Sequence, residues 1–335
     1  MKFRGLVVAL TFLVLLVSSC KKARFAPDIT SIKSDVTIVP FYKELQAVNT
    51  VAKDNGLSKL EAKHGLFYKD FAIRVIGIDV KDSKFPLYMS KFLDFEANKE
   101  VFAECEKQYG DGSQLKSDFD LAFRYYKYYF PNKPVDKIYL QMSGFSTFMM
   151  VDTGYVAVSL ERYLGDTCNF YNLLGDPVYL RKKMVREKMV PDAFKAIAMV
   201  EYPNSDSIDN LLSNMVYQGK VLHFVACMTP AIHDTLLFDY SKAQMKWVEK
   251  NESKAWSILI EKKHLFSTDL LMIQKYIGDG PFTAFFGQES PSRVASYIGY
   301  RIVEEYLKKN PTITLSQLME EKDSQMILRK SGYRP

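Results

Sequence analysis

The strongest constraint on the fold is a change of texture in the middle of the chain. Residues 137–145 alternate with the period of two that marks a strand, and residues 147–151 and 155–160 follow closely. Asp152, Thr153 and Gly154 supply the turn between the last two. Three short strands with tight connections predict a small sheet. On either side the pattern is helical: residues 41–130, interrupted at Asn55-Gly56, at Lys84-Phe85-Pro86 and at Gly110-Asp111-Gly112, and again beyond Tyr179 to the end. A further β-branched run, residues 35–39, reads as a strand stopped by Pro40. Helices, a small sheet, then helices predict an α+β fold that is predominantly helical. No repeat, linker or composition break divides it, so residues 35–335 are expected to form one domain.

The first residues set the compartment. Lys2 and Arg4 give a positive start, residues 6–17 are almost wholly apolar, and the small Ser18 and Ser19 precede Cys20. These are the parts of a secretory leader. An apolar run of about a dozen residues is too short to span a bilayer core, which takes about 20. Val17-Ser18-Ser19-Cys20 resembles a lipobox, the alternative being an ordinary leader with a chance cysteine. Read as a lipobox, it predicts a signal peptide over residues 1–19, lipid on Cys20, and a short polar tether over residues 20–34. Acyl chains on one cysteine hold a protein firmly, because each buried CH2 contributes about 0.8 kcal/mol. The next residues, Lys21-Lys22-Ala23-Arg24, contain neither an aspartate beside the cysteine nor an acidic cluster. Such features resemble inner-membrane retention and surface-export signals, so their absence points to the outer membrane, facing the periplasm.

Charge and cysteine usage narrow the function classes. The net charge of +6 falls by two, to +4, once Lys2 and Arg4 leave with the leader, and the charges are evenly spread. That is too weak a field to argue for nucleic acid. A chain that is 47% hydrophobic can bury a core, so disorder is confined to the tether. Cys105, Cys168 and Cys227 remain after Cys20, and no CxxC pair exists, which excludes a zinc ribbon or thioredoxin-like motif. One disulfide stays open among the three. The apolar run Val225-Ala226-Cys227-Met228 favours buried free thiols.

Two helices stand out. Ile208, Leu211, Met215, Leu222 and Ala226 recur at helical spacing with Gly219 on the same stripe, which should face the core. Met245, Val248, Ala255 and Leu259 form a second stripe, and Glu252 lies on it. A carboxylate on an apolar face is costly unless it is paired. Glu252 therefore either ties down a neighbouring segment or belongs to a site.

Catalytic patterns are missing. Zinc hydrolysis needs two histidines one helical turn apart with a glutamate beside the first. His64, His223, His233 and His264 include no such pair. His223 sits among core residues and reads as a satisfied core or edge histidine, and His233-Asp234 as a loop pairing. Ser143-Gly144 lacks the GxSxG context and reads as a strand end at a turn. Asp118 and Asp120 point to different helix faces. Gly278-Asp279-Gly280-Pro281 is turn chemistry, the loop at Gly110-Asp111-Gly112-Ser113 lacks calcium-loop spacing, and no glycine-rich phosphate loop follows a strand. No catalytic residue, metal or cofactor is predicted.

Taken in order, several segments resemble the gliding motility lipoprotein GldB family of Bacteroidetes-type bacteria. They are the lipobox; Lys127-Tyr128-Tyr129-Phe130-Pro131; Ser143-Gly144-Phe145; Tyr163-Leu164-Gly165 with Phe170-Tyr171; and Met215 to Leu222. Then come Trp247, Asn251-Glu252 and Trp256; Pro291 and Arg293; Ile298-Gly299-Tyr300-Arg301-Ile302-Val303; and Ser331, Tyr333 and Pro335. The resemblance spans Cys20 to the last residue and rests on the shared order of the pieces. Three departures stand against it. Pro40 precedes Phe41 where the family has Arg-Phe, Glu161 replaces an aspartate two before Tyr-Leu-Gly, and Ser292 and Ala295 replace glycines around Arg293.

The family is similar to zincin-like metallopeptidases whose metal helix has lost its ligands. Asn214, Met215 and Gln218 have the spacing of an HExxH helix with each group replaced, and Glu252 stands where a third ligand would lie on the following helix. Two neutral amides do not substitute for imidazoles, and a thioether is no base, so no bound zinc and no peptidase activity are expected. The resemblance implies a non-enzymatic outer-membrane lipoprotein of gliding motility or the associated envelope secretion machinery, meeting the membrane through its lipid and other envelope proteins by contact. Two other classes stay open: a divergent hydrolase using Glu252 and His223, and an envelope glycan-binding module suggested by the abundant tyrosine.

Overall fold

A computed structural model describes residues 26–48, 53–134, 137–204 and 208–335, with backbone alone for residues 53–55. The leader and Cys20 lie outside the described residues. The chain runs β1 (Thr37–Val39), α1 (Phe41–Val48), α2 (Lys53–Phe71), α3 (Phe85–Asp94), α4 (Glu96–Tyr109) and α5 (Ser113–Tyr129) into β2 (Lys137–Gln141), β3 (Met149–Asp152) and β4 (Tyr155–Ser159). It continues through α6 (Asn169–Leu173), α7 (Val178–Arg181), α8 (Met189–Glu201), α9 (Leu211–Met228), α10 (Asp234–Phe238) and α11 (Lys242–Glu261). It closes with α12 (Leu270–Ile277), α13 (Val294–Lys309), α14 (Leu315–Glu320) and α15 (Ser324–Ser331). The fold is mostly helical with one small mixed sheet.

The four strands lie in the order β1-β2-β4-β3. β1, β2 and β4 are parallel, with Ile38 beside Ile138 and Ile138 beside Val156, and β3 folds back antiparallel on β4. β4 is buried along its whole length and β2 from Ile138 onward. Parallel strands covered on both faces carry continuous apolar runs, which is how Tyr-Val-Ala-Val-Ser reads. The β3–β4 turn falls at Asp152, Thr153 and Gly154, with Gly154 at a φ of 84° that favours glycine. β2 ends at Gln141, short of the expected 145, because the chain after it wraps around a buried side chain described below.

α9 is the axis of the helical part. Every residue from Leu211 to Met228 is buried except Asn214 and Gln218. A helix apolar on all sides must be covered on all sides, and α5, α8, α12, α13, α14 and α15 all pack on it. Its closest neighbour is α13. A Cβ added to Gly299 would stand 1.8 Å from the Met215 carbonyl oxygen, and one added to Gly219 would stand 2.4 Å from the Gly299 oxygen. The two backbones touch where both side chains are single hydrogens. An Asn210–Ser213 capping box starts α9.

Two expectations need correction and a third holds in part. Asn55-Gly56 does not interrupt the helical pattern. Gly56 lies inside α2, where a Cβ would come within 2.8 Å of Val48 Cγ1, so close approach of α1 is what the glycine permits. Ile208 is half-exposed and precedes the cap of α9, off its buried stripe. Cys105 and Cys227 are buried free thiols, while Cys168 is a free thiol that is partly exposed. Residues 29–34, expected within the tether, lie against α5: Arg124 donates to the carbonyls of Ile29 and Ile32, each at 2.7 Å, and Ser34 donates to Asp120 at 2.6 Å. Among the described residues no helix is long and apolar enough to cross a membrane.

Candidate functional site

The residues singled out on the sequence gather around α13. Glu252 on α11 accepts from Tyr333 at 2.7 Å and from Arg301 Nε of α13 at 3.1 Å. Its place on the apolar stripe thus comes with the pairing that burial demands, and Trp256 stacks edge-on against Tyr333 beside it. His223 on α9 bonds Glu304 of α13 through Nδ1 at 3.0 Å and meets Cys227 Sγ through Nε2 at 3.5 Å. Burial disfavours the imidazolium, but Cys227 and Glu304 outweigh it and push the pKa up to about 10. Arg301 and Glu304 are one turn apart, so α13 holds Glu252 and His223 with separate side chains.

On α9, Asn214 donates to Asp209 Oδ1 at 2.7 Å and to the Asn210 carbonyl at 2.8 Å. Met215 is fully buried with its carbonyl against Gly299, and Gln218 is partly exposed. Both bonds of Glu252 lead to α13 and the C-terminal segment, and neither is to one of these three. Among the described residues no group of three His, Cys, Asp or Glu side chains is placed to hold a metal ion.

A second cluster joins the turn at Asp279 and Arg293 to residues that the sequence reading did not single out. Lys188 reaches Asp239 Oδ1 at 2.6 Å and Asp192 at 3.2 Å, and donates to the Leu236 carbonyl at 3.0 Å. Arg293 reaches Asp239 Oδ2 at 2.6 Å, the Phe238 carbonyl at 2.9 Å and Asp279 at 3.3 Å, and Asp279 also takes Lys183. Asp239 ends α10 and Arg293 precedes α13, and both have a φ of 58°, a strained value for residues with a Cβ. Burial would push the Asp239 carboxyl up; Lys188 and Arg293 outweigh it and hold it far below the usual carboxylate range. A cavity of about 540 Å³ opens beside the cluster, with Lys182, Lys183 and Lys188 on its wall. Nothing local in the sequence marks this site, since its partners are separated by up to a hundred residues; Arg293 and the turn at Asp279 were its visible parts.

The third arrangement closes the end of the sheet. Glu161, two residues past the end of β4, is fully buried, and its Oε1 accepts from the Ser143 hydroxyl at 2.5 Å, the Ser143 amide at 2.8 Å and the Phe145 amide at 3.1 Å. Its Oε2 has no hydrogen-bond partner. Burial, opposed by these bonds, leaves its pKa raised. Ser143 is therefore a donor to a buried carboxylate, closed off from any substrate.

The scattered segments meet in these contacts: Gly219 with Gly299, Glu252 with Arg301 and Tyr333, Ser143 with Glu161. Comparison with family models gives a match to gliding motility protein GldB over residues 22–335. The chain belongs to the GldB family. Membership implies the role of a gliding-motility lipoprotein and a lipid-anchored association with membrane. GldB is not a known enzyme family. No curated protein and no solved structure matches the chain.

Proposed function

We propose that this GldB-family protein is a non-enzymatic lipoprotein, anchored through Cys20 to the outer membrane and facing the periplasm, that serves gliding motility or the associated secretion machinery by protein contacts. The family match over residues 22–335 carries the reading. The inward ties of the groups chemistry would use support it: His223 is held by Glu304, Glu252 by Arg301 and Tyr333, and Ser143 is sealed against Glu161. We also read α9 as the metal helix of a degenerate zincin-like domain, with Asn214, Met215 and Gln218 at the HExxH positions and Glu252 as the remnant of a third ligand.

In-cell crosslinking of the full-length protein, followed by identification of captured chains, tests the role. Motility or secretion proteins of the envelope are expected; recovery of lipoprotein-processing enzymes alone would overturn it. Metal analysis of the purified protein tests the non-enzymatic part. Stoichiometric zinc that disappears in Glu252→Ala would replace it with the hydrolase reading.

A further inference from the structure

We propose that one acyl chain of the lipid on Cys20 lies in the apolar groove between α5 and the loop that follows α9. The proposal rests on the lipobox reading of Cys20.

The groove is lined along α5 from Leu115 to Tyr125 and faced by Val190 and Pro191 of α8 and by residues 228–232. Leu115, Ala122 and Met228 are buried within it, and Leu121 is exposed at its edge. Its polar groups are turned elsewhere. Asp118 and Arg186 close on each other at 2.9 Å, the Thr229 hydroxyl donates to the Val225 carbonyl at 2.7 Å, His233 caps α10, and Glu187 is exposed. The volume is about 500 Å³. From Leu115 to Tyr125 the helix rises about 15 Å, so a channel of that volume is roughly 6 Å across. A partner helix, about 10–12 Å across, is too wide for it. A single file of methylene groups is not.

The course of the chain selects the occupant. Lys116 donates to the Val36 carbonyl at 2.9 Å, Ser34 bonds Asp120, and Arg124 holds the carbonyls of Ile32 and Ile29. These α5 residues stand four apart, and each such step turns the contact about 40° around the helix. Followed toward its amino end, the segment therefore winds around α5 toward the side that carries Leu121 and Tyr125. The described residues begin at Ala26. Cys20 is six residues further on, a reach of at most about 20 Å. A lipid tethered so closely meets the groove at an effective concentration on the order of millimolar, with no second molecule to recruit. One acyl chain in the groove leaves the others for the bilayer and turns this face of α5 toward it.

Photocrosslinking tests this. The full-length protein is made in cells fed a fatty acid with a terminal diazirine, irradiated and digested, and linked peptides are identified by mass spectrometry. The lipidated Cys20 peptide is expected to be joined to residues 121–125 or 228–232. A lipidated Cys20 peptide joined elsewhere, or to no peptide, overturns the proposal and leaves the anchor standing. A Cys20 peptide without lipid overturns the lipobox reading itself, and the groove proposal with it. Leu121→Glu, at an exposed position, should keep the circular dichroism spectrum and lower the yield of the link by at least about tenfold, because it sets a carboxylate against an apolar chain. An unchanged yield in that variant counts against the groove. Label persisting at the groove in Cys20→Ser assigns it to a free envelope lipid and overturns the proposal.

Discussion

Single residues carry the clearest tests of stability. Replacing Glu161 with alanine strands the Ser143 and Phe145 amides inside the protein, at about 1–3 kcal/mol for each buried donor left unpaired. Glu161→Gln keeps an accepting oxygen for them and should cost far less, which urea unfolding of both variants will show. The carboxyl also gives stability a pH signature. Its pKa is raised on folding, so its contribution is whole below the ordinary 4.5 and is lost as the pH rises through the folded value. Glu161→Gln should lose that slope. His223 has the same sign in a higher window. Its stabilisation is complete below 6.5 and fades as the pH climbs through about 10. Denaturation of His223→Gln against the parent protein between pH 6 and 10 should therefore converge toward the alkaline end. The sequence exposed the need for a partner at Glu252, because a carboxylate on an apolar stripe announces itself. It showed Glu161 only as the acidic residue two before Tyr-Leu-Gly; its neighbours, Leu160 and Arg162, give no sign of a cage built by a strand end eighteen residues earlier.

At the scale of elements, the α9–α13 crossing is the least forgiving feature. Gly299→Ala places a methyl group into the Met215 carbonyl and should cost more than about 4 kcal/mol or abolish soluble folded protein. Gly280→Ala is the matched control: its nearest neighbour would be the Phe282 oxygen at 3.5 Å, an ordinary contact, and a change of less than about 0.5 kcal/mol is expected. Strands and their connecting turn were legible because period two and Asp-Thr-Gly are local signals. The pairing of β1 with β2 was not, since about a hundred residues separate them. Asn55-Gly56 misled for a related reason: a glycine needed for close helix packing looks, in sequence, like one needed to stop a helix.

For the whole molecule, one continuous apolar cluster runs from Val36 to Tyr333 and gathers both helical parts and the sheet. Among the described residues no helix is long and apolar enough to cross a membrane, and lipid on Cys20 is the proposed attachment. Cys20→Ser should move the protein from the membrane to the soluble fraction of lysed cells, read by immunoblot after ultracentrifugation; retention on the membrane would count against the lipobox. The charged chamber is the part of the molecule that no stretch of sequence could announce, because its ion pairs join residues brought side by side only by the finished fold.

The grip of Glu252 on Arg301 and Tyr333 has a consequence for the order of events in the cell. On the export route proposed with Cys20, the chain arrives amino end first, so α11 and α13 reach the far side of the membrane before the segment that finishes their contact. Until Tyr333 emerges, Glu252 has only Arg301 as its partner and the edge of Trp256 lacks the ring it packs against. The domain is therefore finished by nearly the last residues to arrive, and truncation just before Tyr333 should yield a chain that is exported, lipidated, and then degraded by envelope proteases for want of a single closing ring.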